Sequence, residues 1–77
     1  MVTELVPGIT ADPDIALGKP VIAGTRIPAA LILGQLAGGA SIDEVCAEYE
    51  LTREHVLAVL RYAASLAGQE IVRVRAS

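Results

Sequence analysis

The chain has 77 residues, 53% of them hydrophobic, and its only aromatic residues are Tyr49 and Tyr62. Six Lys and Arg against nine Asp and Glu give a formal net charge of −3. These values exclude more than one domain, an internal disulfide or zinc cluster built on the single Cys46, and the overall basic balance typical of nucleic-acid binders.

Residues 1–8 read as a loose leader. They carry no basic segment and contain Pro7 and Gly8, unlike a secretory signal. No apolar run in the chain approaches the roughly 18 residues that span a bilayer. With a lone cysteine and neither address, the expected location is the cytoplasm, a reducing compartment. Residues 9–27 hold turn signals at Asp12-Pro13, Gly18, Pro20 and Gly24. Between them lie short β-prone pieces: Gly8-Ile9-Thr10, Pro20–Ala23 and Thr25-Arg26-Ile27. They predict a small β-ribbon, which needs helices to lie on.

Residues 28–67 predict a three-helix body. Pro28 suits the first turn of a helix, and Ala29 to Ala37 follow, with Gly38-Gly39 as the stop. Ser41 and Glu44 have the spacing of a capping box, opening a second helix from Ile42 to about Tyr49. Thr52 is the next expected N-cap. The third helix is expected from Arg53 to Ala67, ended by Gly68, with an apolar stripe of Val56, Leu60, Ala63 and Ala67 widened by Leu57 and Ala64. In the tail, residues 68–77, Val72 and Val74 alternate with Arg73 and Arg75, which suits a strand. The core has to come from Val, Ile, Leu and Ala. The mean hydropathy of +0.55 leaves an apolar surplus for a partner surface, with self-association the simplest case.

Few residues point to chemistry. Gly18-Lys19 is not a phosphate loop: position 13 is Pro where Gly is required, and Pro20 stands where Ser or Thr is required. In Gly24-Thr25-Arg26, Thr25 can bond its own turn. Arg26 can hold a carboxylate, either internally at Asp12 or Asp14 or on a partner. His55 is alone and makes no metal site. No nucleophile, base and orienting group stand out together, so no catalytic residue, metal, cofactor or small-molecule substrate is expected.

The second and third helices fit a helix-turn-helix with Glu50 in the turn. Val45, Tyr49, Leu51, Val56 and Val59 take its buried positions, and Cys46 takes a small-residue position. A DNA-reading face would then carry Thr52, Arg53, Glu54 and Arg61. Residues 41–67, however, hold five carboxylates and two arginines, a balance that favours a protein partner over phosphate.

The run Ile9–Pro13, then Gly18-Lys19-Pro20-Val21-Ile22-Ala23-Gly24-Thr25-Arg26-Ile27-Pro28, resembles the small prokaryotic "domain of unknown function 433" family. So do Leu36–Gly39, Ser41–Glu44, Leu51–Glu54 and Arg61–Ala64. Members commonly have Pro after the aromatic at the Tyr49 position, where this chain has Glu50. The resemblance implies a mostly α protein: a short N-terminal β-ribbon followed by a three-helix, homeodomain-like helix-turn-helix body. It also implies dimers and an antitoxin of VapB-like type, encoded beside a PIN-like ribonuclease toxin. It carries over no catalytic residue.

Two functions are therefore expected from different classes. One is a homodimeric antitoxin that neutralises a toxin encoded by the adjacent gene. Its contacts are expected at the acidic face of the second helix, at Arg26 and Leu57, or in the tail at Arg73 and Arg75. The other is a repressor that binds operator DNA through Thr52, Arg53 and Arg61. A plain dimerisation module is the third possibility.

Overall fold

The computed structural model describes residues 1–76, with side-chain surroundings described through Gln69. Three short strands, β1 (Thr3–Val6), β2 (Ile9–Ala11) and β3 (Val21–Ile22), form one antiparallel sheet in the order β1-β2-β3. Three helices follow: α1 (Ala29–Ala37), α2 (Ile42–Tyr49) and α3 (Arg53–Ala76). The mostly helical architecture expected from the sequence is present. The ribbon has one strand more than expected, because residues 3–6 pair with β2 instead of trailing loose.

The added strand follows from Pro7-Gly8. Proline presets the first turn position, and Gly8 takes φ +91 at the second, the pattern of a type II turn. Such a turn does not match the twist of a hairpin as well as its mirror images do. The register slips between Glu4 and Val6, a bulge that absorbs the mismatch. Gly8 also lies against α3, where an added Cβ would stand 2.8 Å from the Ala58 Cβ. The piece Thr25-Arg26-Ile27 forms no strand. It turns back on β3, with a bridge between Val21 and Pro28, and the Ala29 N–H donates to the Pro20 carbonyl at 2.9 Å.

Pro28 is the N-cap of α1 with ψ 139, one position before the expected one. The end of α1 is a Schellman motif. The Gly39 N–H donates to the Leu36 carbonyl at 3.0 Å and the Ala40 N–H to the Gln35 carbonyl at 3.1 Å. In α2 both halves of the predicted capping box form. The Glu44 N–H donates to Ser41 Oγ at 3.0 Å, and the Ser41 N–H donates to Glu44 Oε1 at 2.8 Å.

The core is aliphatic throughout: Ile9, Ile22, Ala29, Ile32, Val45, Leu51, Val56, Ala58 and Val59. It sits where the sheet, α1 and α2 meet the first two turns of α3. The expected α3 stripe is rotated. Val56 is buried, but Leu60 and Ala67 face outward, and Ala58, Val59 and Tyr62 turn inward. The run Val56–Leu60 is apolar nearly all round, so periodicity alone does not choose the face. The close approach of Gly8 to Ala58 does.

The expected stop at Gly68 and the expected tail strand do not form, since α3 continues to Ala76. Gly68 has no positive φ and therefore does not make the left-handed cap that ends helices. Ala67, Gln69 and Glu70 around it are good helix formers. Among the described residues, no helix is long and apolar enough to cross a membrane.

Candidate functional site

Two surfaces carry the residues singled out in the sequence. The first is the helix-turn-helix. Val45, Leu51, Val56 and Val59 are buried at its inner positions, and Tyr49 and Cys46 pack partly against the same cluster. Its turn centres on Glu50, which adopts φ 56 and ψ 46, a left-handed conformation unfavourable for a residue with a Cβ. The Leu51 N–H then reaches the Cys46 carbonyl at 3.0 Å. Glu50→Gly should therefore stabilise the fold by about 0.5–1 kcal/mol, read as a higher urea midpoint at unchanged slope. An unchanged or lower midpoint would mean that the Glu50 side chain contributes more than the strain costs.

Thr52 caps α3 as expected, accepting the His55 N–H on its Oγ1 at 3.3 Å. His55 returns the bond: its Nδ1 accepts the Thr52 N–H at 3.0 Å. This is a capping box with an imidazole in the place of Glu or Gln, and it places the ring proton on Nε2. Sequence reasoning missed this role of His55, although Thr52 and His55 have the same spacing as Ser41 and Glu44.

Thr52, Arg53, Glu54 and Arg61 are all exposed, as a groove-reading face requires. Arg53, Leu57 and Arg61 share one side of α3 by their four-residue spacing. Arg61 is not free, however. Its Nη1 lies 3.9 Å from Glu54 Oε1 in an exposed ion pair, an arrangement of small energetic weight that still halves the positive charge offered. Asp43, Glu44, Glu48 and Glu50 line the neighbouring helix and turn. Glu44 is held below the ordinary glutamate range by its hydrogen bonds from Ser41, first the backbone N–H and then the side chain. A depressed carboxylate stabilises the fold above its unfolded value and loses that contribution as pH falls through its folded one. Ser41→Ala should cost about 1 kcal/mol at neutral pH but keeps the backbone N–H that holds Glu44, so it is Glu44→Gln that should weaken the acid-side fall in stability. A Glu44→Gln profile parallel to that of the parent would mean that the Glu44 carboxylate contributes nothing to that fall.

The second surface is an apolar groove of about 280 Å³ where α1 meets α3, lined by Pro20, Pro28, Ala30, Leu33, Tyr62 and Leu66 among others. Leu66 is 44% exposed, and Leu31 on α1 is 41% exposed. The sequence held the signal for this groove in its surplus of apolar residues but not its location.

Arg26 belongs to neither surface. It is exposed on the turn after β3 and, among the described residues, pairs with no carboxylate. The internal partners Asp12 and Asp14 do not take it up: Asp12 Oδ1 instead accepts the Asp14 N–H at 2.9 Å. Thr25 does bond its own turn, as expected. The side chains of Arg73 and Arg75 lie outside the described residues.

The fold and these surfaces define a class: a small helix-turn-helix module with a β-sheet packed against its helices. Residues 9–63 match the model of a protein family described as "protein of unknown function (DUF433)", and the chain belongs to that family. It is similar to a solved DUF433 member protein from Anabaena variabilis ATCC 29413, with 30% identity and a TM-score of 0.70. The match covers 91% of this chain and 69% of that one. It is also similar to Rv2018 from Mycobacterium tuberculosis, with 31% identity and a TM-score of 0.61. There the match covers 68% of this chain but only 24% of that one, so the module is one part of a longer protein. No curated protein matches this chain.

Proposed function

We propose that this chain is an antitoxin-type binding module, not an enzyme. It acts in the cytoplasm as a homodimer and masks the RNA-binding site of a PIN-like ribonuclease encoded by the adjacent gene. The observation that carries the reading is the pairing of an apolar groove with an acidic helix on one small body. An apolar groove anchors a partner helix or loop, and carboxylates complement the basic rim of a site that receives RNA phosphates.

The exposed Thr52, Arg53 and Arg61 on α3 favour a second reading, in which the module also binds its own operator. The surrounding carboxylates make that affinity low and strongly salt-dependent.

Co-expression with the product of the adjacent gene, followed by affinity purification and sizing, tests the proposal. A stable complex and relief of growth arrest are expected, with Leu66→Asp abolishing both while the fold persists. Arg53→Ala combined with Arg61→Ala should spare neutralisation and remove operator binding. A homodimer that neither binds nor rescues would overturn the antitoxin reading.

A further inference from the structure

On the sheet side of the molecule lies an open depression of about 420 Å³. Its lining includes Val2, Thr10, Asp12, Ile15, Thr25 and Arg26, and none of its lining residues comes from α1, α2 or α3. Arg26 stands on a turn fixed from both sides. The Thr25 N–H and Oγ1 both donate to the Ile22 carbonyl, at 3.0 and 2.8 Å. Thr25 Oγ1 accepts the Ile27 N–H at 3.0 Å, and the Ile22 N–H donates to the Ile27 carbonyl at 3.0 Å. Gly24 at φ +77 lets the chain reverse there. A guanidinium on so constrained a base loses little backbone freedom on binding. It has no ion-pair partner among the described residues.

Asp12 limits what this arginine receives. It lines the same depression yet is not within the 4.0 Å of Arg26 that an ion pair needs. One of its oxygens is turned to the Asp14 N–H, which leaves the other to accept a hydrogen bond. A phosphate dianion would meet this carboxylate and be repelled. A planar monoanion with an N–H donor beside it suits both charges, with two parallel bonds from the guanidinium to its oxygens and its N–H on Asp12. A peptide carboxylate has that chemistry, either at a chain terminus or on an Asp or Glu side chain.

We propose that the depression at Arg26 is a binding site for a peptide carboxylate of a partner protein. It is separate from the groove and helix-turn-helix invoked above and does not depend on the antitoxin reading, because its test uses small probes and no toxin.

The test is amide NMR of the full chain titrated with N-acetylglycine, with the α-amide of N-acetylaspartate, and with inorganic phosphate. Saturable shifts at Thr10, Gly24, Thr25 and Arg26 are expected with at least one carboxylate probe, and whichever binds tighter identifies the source. Phosphate should bind more weakly. Arg26→Ala and Arg26→Gln should abolish the shifts, and Arg26→Lys, which keeps the charge but loses the fork, should weaken binding roughly tenfold. The urea midpoints of all three variants should match the parent, since the side chain is exposed. Shifts that persist in the Ala and Gln variants, phosphate binding as tight as carboxylate, or no saturable shift with either carboxylate probe would each overturn the proposal.

Discussion

Ile32→Ala should remove about 2–5 kcal/mol of stability, a large share of the whole. Ile32 is 0% exposed on α1 and belongs to the cluster that joins the sheet to α2 and α3. Truncation loses its transfer free energy and leaves a cavity. The surrounding Ile and Val side chains, stiff at χ1, collapse poorly into such a space. A domain of this size has a total of roughly 5 kcal/mol or somewhat more to lose. Urea denaturation followed by circular dichroism measures the loss. Leu31→Ala, one residue earlier and 41% exposed, is the matched control and should cost less than about 1 kcal/mol. Equal losses at the two positions would mean that α1 does not bury the face described here.

The second large effect is expected at Gly8. Gly8→Ala forces a side chain into φ +91 and drives its Cβ to 2.8 Å from that of Ala58. The backbone strain costs about 1–2 kcal/mol and the overpacking about 1–3 kcal/mol more. The two parts separate in a double-mutant cycle. Ala58→Gly relieves the contact but not the torsion, so Gly8→Ala should be less damaging in that background by about 1 kcal/mol or more. Strict additivity would place the whole cost in the torsion and remove the close approach as the device that sets α3's rotation.

Local signals were legible in the sequence wherever a single residue type has one physical meaning. Ser41 with Glu44, Thr52 as a cap and the Gly38-Gly39 stop were readable because each satisfies helix-end groups that have few other partners. The helix-turn-helix interior was readable because its spacing demands Val45, Leu51, Val56 and Val59 together. The family was readable from the glycine and proline run between Gly18 and Pro28, which matches as a string. Tertiary decisions were not readable. Residues 3–6 contain no strong strand signal and become a strand only because Pro7-Gly8 returns them to β2. The face of α3 was ambiguous in an apolar run, and Gly68 looked like a stop until its φ was known. The candidate sites were legible as residues, Arg26 above all, but not as places. Nothing in the spacing reveals that Asp12 shares a depression with Arg26 without pairing to it, or that Tyr62 and Leu66 close a groove with two prolines.

The contact between Gly8 and Ala58 has a consequence for how the protein is made. It joins the Pro7-Gly8 turn to a residue near the start of the last helix, so the hairpin, which leaves the ribosome before α3, cannot dock until α3 has followed it out. Until then Ile9 and Ile22 on the sheet, and Ile32 and Val45 on the first two helices, lack the Val56 and Val59 that cover them. Long-range closure of this kind comes late in folding. The nascent chain therefore passes through an interval in which its apolar surface is open to chaperones and to proteases, and that interval lasts until α3 has been made and has emerged through Val59.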